Sequence, residues 1–236
     1  LQLKEGAEMS AEQQDSSFAA LQGILEARHS CRAFLPDQVP DETIARIVAA
    51  AQSVPSWCNA QPWQLTITRG AATEAFRTRM LKAATTEAGN WDVPAPARYQ
   101  GDYKDRRRDC GWQLYEAVGV VKGDRAGSAA QMLRNFRFFD APHVAVVSTP
   151  KDLGAYGVLD CGAFVTGFML AATALGIGSI AQAAIASYSD QVRGHFGIPE
   201  ERDIICGISF GYADTSDPVN SFRTARAMVD EVVDWR

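Results

Sequence analysis

The stretch CGAFVTGFMLAATALGIGSIA, residues 161–181, carries no charge and is long enough to cross a bilayer. Its reading decides the fold. Gly162, Thr166, Gly167, Thr173, Gly176, Gly178 and Ser179 interrupt the apolar run. The Gly176-Ile177-Gly178 break divides it into a helix over 156–175 and a short piece over 179–182 with strand character. A helix that is apolar all round can be the central helix of a core or a subunit interface. It is read so here, and no membrane partner is expected.

Outward from that helix, periodicity gives interleaved helices and strands. Val39-Pro40-Asp41-Glu42 opens a helix to about Gln52, with Ile44, Ile47, Val48 and Ala51 at helical spacing. Residues 63–69 alternate, Trp63, Leu65 and Ile67 against Gln64, Thr66 and Thr68, as in a half-buried strand. Further helices are expected over 18–27, capped by Ser16 or Ser17, and over 72–87, 103–119, 126–139 and 189–196. Short strands are expected over 145–148, 203–213 and 228–235. Pro94, Pro96 and Gly101 mark 89–101 as a mobile loop. The class is α+β, with several strands antiparallel.

The chain has 236 residues, 47% hydrophobic and 22% charged, with a net charge of −5. That balance excludes wholesale disorder, and it lacks the general basic field of a nucleic-acid partner. Residues 1–17 are expected to be a disordered tail, part of it a remnant before a natural start at Met9; 18–236 read as a single domain. The five cysteines form no CxxC, so a reducing, cytoplasmic location is expected, with each thiol a small buried hydrophobe.

Two motif matches fail on context. Gly207-Ile208-Ser209-Phe210-Gly211 fits GxSxG, but a turn follows it and all three histidines lie upstream, the wrong order for a nucleophile elbow. Gly176-Ile177-Gly178-Ser179-Ile180-Ala181 fits GxGxxA, but it follows a helix instead of a strand. No metal-ligand spacing and no phosphate-binding GxxxxGK[ST] loop is present.

Three segments survive. Arg28-His29-Ser30-Cys31-Arg32 would, if extended, put two guanidiniums and a hydroxyl on one face, a workable phosphate grip. Pro55-Ser56-Trp57-Cys58-Asn59-Ala60-Gln61-Pro62-Trp63 offers amides whose donors and acceptors match a flavin pyrimidine edge. Ser221-Phe222-Arg223-Thr224-Ala225-Arg226 adds two cations. Each alone reads as an ordinary turn or solvated face.

Together, and in this order with the late segment GIGSIAQAAIASYSDQVRGHFGIP, they resemble the FMN-dependent nitroreductase family, in the branch of nitrobenzoate and dinitroaniline reductases. LYEAVGVVKGD and NFRFFDAPHVAVV support that branch. The resemblance implies a nitroreductase-like fold, a mainly antiparallel central sheet flanked by helices in an intertwined homodimer. It implies that Arg28, His29, Ser30 and Arg32 contact the FMN phosphate and ribityl chain, Arg32 also facing the N1/O2 edge. Pro55, Ser56, Asn59 and Gln61 would cup the ring from the partner subunit. Gln182, Ala183 and Ala184 would run beside N5, and Arg223 and Arg226 would clamp the phosphate. Ala181 stands where many relatives carry Pro, and Trp57-Cys58 is bulkier than usual.

The implied reaction passes hydride from NADPH or NADH through flavin N5 to small aromatic acceptors, nitroaromatics or quinones, by a ping-pong mechanism. No catalytic side chain is needed, because the cofactor carries the chemistry. Phe138, Phe139 and Tyr103 are candidates for an aromatic wall over the acceptor, and Trp57 for narrowing access. Other flavin chemistry, reductive dehalogenation or flavin cleavage, and a non-catalytic FMN store or sensor stay open.

Overall fold

A computed structural model describes residues 10–236. The expected tail therefore lies partly outside the described residues, and the rest of it is helical. Helix α1 (Ala11–Ala27) starts well before Phe18. Ser10 is its cap: its Oγ accepts from Gln13 N–H, and Gln13 Oε1 accepts from Ser10 N–H in return.

The chain continues through α2 (Asp41–Ala51), β1 (Gln64–Ile67), α3 (Ala71–Thr86), α4 (Gly101–Ala117) and α5 (Arg125–Leu133). Then come β2 (His143–Pro150), α6 (Gly154–Ala174), β3 (Gly178–Gln182), α7 (Ala183–Ala186), α8 (Ser189–Phe196), β4 (Arg202–Gly211) and α9 (Val229–Val232). The four strands form one sheet in the order β1-β2-β4-β3, every pairing antiparallel.

Both faces of this sheet are covered, so β2 is buried from His143 to Thr149 around an apolar run over 144–147. Its Ala145 and Val147 join a core with α2 and α6, through Ile44, Ile47, Phe164 and Phe168. Its Val144 and Val146 join a second core with α3 and α8, through Phe76, Met80 and Val192. A bulge lies opposite Val147/Ser148, where β4 inserts Ile205 between Ile204 and Cys206. The extra residue flips the facing of the strand. Ile204 points to the second core and Cys206 to the first, although their spacing would put both on one side.

Among the described residues α6 is the one helix long and apolar enough to span a membrane. Here it covers the sheet, and buried Asp160 in its first half accepts from Trp57 N–H at 3.1 and 3.2 Å. It ends at Gly176, whose φ of +75° is the left-handed stop glycine allows. Gly197 ends α8 the same way.

Two expected elements are corrected. The helix over 126–139 stops at Leu133, and a tighter turn carries Phe138, Phe139 and Asp140 in left-handed backbone (φ +59°, +52° and +63°). Burial is the reason: Phe138 stacks on Phe76 in the second core, while Phe139 packs with Cys31, Phe34 and Ile180. Arg77 caps the carbonyls so freed, Arg137 O and Ala141 O. The strand over 228–235 is instead one helical turn with exposed valines, and no strand among the described residues pairs with it. Segment 89–101 is irregular as expected, but its start is pinned. Asn90 bridges to Tyr188, and Asp92 accepts from Arg193 at 2.8 Å and from Ile204 N–H at 2.7 Å.

Candidate functional site

The segment 28–32 leaves α1 in extended backbone and runs parallel to β3, where Ser30 bridges Ser179 and Cys31 N–H donates to Ser179 O at 3.1 Å. The approach is close: a Cβ at Gly178 would lie 3.0 Å from Cys31 Sγ. Asn220 staples the segment to the C-terminal stretch. Its Oδ1 accepts from Arg32 N–H at 2.8 Å, and its Nδ2 donates to Ala33 O and Asp214 O at 2.9 and 2.8 Å.

That staple brings 28–32 and 222–226 to one cavity of about 570 Å³, lined by Arg28, His29, Ser30, Arg32, Arg223 and Arg226 together with Cys110 and Phe222. Four guanidiniums meet there, and among the described residues none of them pairs with a carboxylate. Burial, then Arg226 and Arg223, hold the Arg28 pKa below its ordinary value. Burial also lowers His29 and Arg32. His29 Nδ1 donates to Ala27 O at 3.0 Å, a tautomer set by that carbonyl, and its buried Nε2 has no partner among the described residues. Four guanidiniums against the single carboxylate of Glu26 in the lining form a site for a multivalent anion.

Ser30 and Arg32 also line a second cavity of about 350 Å³, with Ile180, Gln182, Ala183 and Ala184 on one side. Leu114 and Tyr115 of α4 and Gln131 and Met132 of α5 form the other side. The Gln182 side chain is engaged inward. Its Oε1 accepts from Ser209 Oγ and its Nε2 donates to Asn135 O at 2.9 Å, so the 182–184 backbone is what faces a ligand. Ser209 is fully buried in β4 and is no nucleophile. The strand around it is tight: a Cβ at Gly207 would strike Ile185, and one at Gly211 would lie 2.6 Å from Pro142 Cδ.

Pro55, Ser56, Asn59 and Gln61 do not line these cavities. Their loop opens on a third, about 760 Å³, beside the exposed face of α6, where Pro55, Ser56 and Trp57 meet Tyr156, Leu159 and Thr166. Its backbone is strained, with Cys58, Asn59 and Gln61 at φ +50°, +56° and +46°. Ser56 Oγ accepts from Gln61 N–H at 3.0 Å, and Gln61 Nε2 donates to Asn59 Oδ1 at 3.0 Å. Trp57 packs on Tyr156 at 4.8 Å.

Of the three candidates for an aromatic wall, Phe139 lines the slot at 2% exposure, whereas Phe138 is sealed in the core and Tyr103 is 71% exposed on α4. Tyr115 is the aromatic that lines the slot with Phe139. The cysteines divide too. Burial pushes Cys31 and Cys161 up to about 11 and Cys206 up to about 12, whereas Cys58 is exposed and Cys110 half-buried. Sequence reading missed Tyr115, Gln131, Asn135 and Asn220, since single polar residues in helices and turns carry no spacing signal. No cluster of three or more His, Cys, Asp or Glu that could hold a metal occurs among the described residues.

Comparison with known proteins gives the family and the fold. The family model described as "Nitroreductase family" matches residues 25–212. The chain is 36% identical over 213 residues to "Nitroreductase NfnB" of Mycolicibacterium smegmatis, covering 90% of this chain and 91% of that one. It is 32% identical to a "4-nitrobenzoate reductase" of a Nocardioides species, covering 91% and 89%. The crystal structure titled as the FMN-dependent nitroreductase NfnB from Mycobacterium smegmatis in complex with NADPH superposes with a TM-score of 0.89 at 35% identity, covering 93% of this chain and 99% of that one. A fold of antiparallel sheet and flanking helices, a cation-lined cavity opening on a β3–α7 slot, and a family match over most of the chain lead to one assignment: the chain belongs to the nitroreductase family.

Proposed function

We propose that this protein is an FMN- and NADPH-dependent reductase of nitroaromatic and quinone acceptors that works as a homodimer. The observation that carries this reading is the cavity of four guanidiniums without carboxylate partners, joined through Ser30 and Arg32 to the slot beside 182–184. The residues present fit FMN. Arg28, Arg223 and Arg226 suit a phosphate, and the unpartnered His29 Nε2, left as an acceptor because Nδ1 is the donor, suits a ribityl hydroxyl. When bound, FMN supplies hydride acceptance at N5 and delivery to the acceptor.

The chain's own residues bind, orient and exclude. Arg32 places a fixed positive charge where the two cavities meet. The Gln182 side chain, tied to Ser209 and Asn135, fixes the backbone that lines the slot. Leu114 and Met132 keep the slot partly dry. With the ring beside 182–184, nicotinamide and acceptor would use the same place over it in turn, which gives ping-pong kinetics and parallel double-reciprocal lines. NADPH is taken as donor because a relative of 35% identity is described in complex with it.

The dimer completes the site. The strained 55–61 loop and the exposed face of α6 form a continuous apolar surface, and through it each subunit would lend Pro55, Ser56, Asn59 and Gln61 to its partner's ring.

The test is the visible spectrum of the purified protein before and after NADPH without oxygen. A flavin band that bleaches, and returns on adding a nitroaromatic, is the expected result. A band that survives both NADPH and NADH would make the protein a flavin store. A protein that neither carries nor binds FMN would overturn the reading.

A further inference from the structure

Gln131 is a buried amide at the wall of the slot, 8% exposed on α5, and its Nε2 has no hydrogen-bond partner among the described residues. Leaving an amide donor buried and unsatisfied is costly, and an apolar side chain of the same size would avoid that cost. The neighbouring amides are fully used: Gln182 bonds to Ser209 and Asn135, and Asn135 Nδ2 donates to Met132 O at 3.0 Å. The same lining has apolar side chains in Leu114, Met132 and Ile180 and a cation in Arg32. A slot of mixed polar and apolar lining with one unpaired buried amide fits an aromatic ring bearing an oxygen-rich substituent.

Resting on the functional reading above, we propose that Gln131 determines acceptor specificity by donating a hydrogen bond to an oxygen of a nitro or carboxylate group on the acceptor ring. The shared chemistry is a planar pair of partly or fully negative oxygens. Such a pair accepts from an amide N–H as well as from a guanidinium.

The experiment is calorimetric titration of the flavin-loaded protein, without electron donor, with benzoate and with nitrobenzene, comparing the parent with Gln131→Leu and Gln131→Glu. Gln131→Leu should raise the Kd of at least one probe about tenfold, the scale of one hydrogen bond. The probe whose Kd moves identifies the oxygen pair that Gln131 holds. Gln131→Glu keeps the size but replaces the donor with a carboxylate, and should weaken benzoate further. The Tm of Gln131→Leu should equal or exceed that of the parent by up to about 4 °C, because a buried unsatisfied group is removed. Unchanged Kd values for both probes in Gln131→Leu would overturn the proposal. So would a parent that binds neither probe, and so would a Gln131→Leu variant that loses stability or fails to fold, since the amide would then serve the fold. Loss of the flavin band from the parent is a separate result, read from its spectrum, and would strike the cofactor assignment.

Discussion

Arg28 stands half-buried beside Arg223 and Arg226, whose charges add to burial in lowering its pKa. Cations packed this way repel one another until an anion joins them. Arg28→Ala should therefore weaken FMN binding by about 1.5–3 kcal/mol, the scale of a charge-assisted hydrogen bond. A fluorescence titration with unchanged affinity would refute the phosphate assignment. His143 is a different case. It is buried, donates from Nδ1 to Thr68 O at 3.0 Å and accepts at Nε2 from Val39 N–H at 2.9 Å, so only the neutral ring fits. Burial lowers its pKa, and burial lowers His29 and His195 in the same way. The unfolded chain then binds protons that the folded chain refuses. Stability is full above the unfolded value of about 6.5 and is lost as pH falls toward the folded values. Urea midpoints should fall between pH 7.5 and 5.5, and His143→Gln should flatten that slope; a midpoint constant over this range would show that the histidines do not carry it.

Among elements, long periodic segments were legible in the sequence. The α2 stripe of Ile44, Ile47 and Ala51 is buried as spaced, and α8 covers Ser189–Phe196 as read, because an apolar stripe marks the first and a terminal glycine stops the second. The start of α1 was not legible, since Glu12 to Asp15 are polar and the cap at Ser10 lies beyond the apolar run. The end of α5 was not legible either. Phe138 and Phe139 keep helical spacing in sequence, yet their rings belong to different clusters, a tertiary demand that overrides local preference. The first and third site segments could be read as cation pairs, but their union could not, because it depends on Asn220 linking stretches far apart in the chain. Asn220→Ala removes three hydrogen bonds and leaves buried groups unpaired. It should cost about 2–3 kcal/mol in urea unfolding and loosen flavin retention in parallel; a loss of stability without a loss of flavin would separate the staple from the site.

At the scale of the molecule, apolar surface is left open along α6. Tyr156 and Leu159 are exposed, with Trp57 beside them, on a helix whose other face is core. Phe18, Leu21 and Leu25 of α1 are exposed as well. A homodimer would cover such surfaces. Leu159→Glu should shift the mass seen by light scattering from dimer toward monomer and release flavin. A monomeric variant that keeps flavin at parental affinity would refute a site shared between subunits. The bulge at Ile205 bears on what changes the gene can tolerate. Downstream of it, β4 turns Ile208 and Phe210 toward one core, while the missing side chain at Gly207 leaves room for Ile185 on the other side. A missense codon at 205, such as Ile205→Val, changes one side chain and should cost about 0.5–1.5 kcal/mol. Losing the codon altogether would remove the bulge and leave Ile204 and Cys206 as neighbours on opposite faces, the facing they already have, so expression of that deletion should still give soluble protein. A lost codon, which elsewhere in a strand throws its two faces out of phase, is at this one position a return to regular alternation.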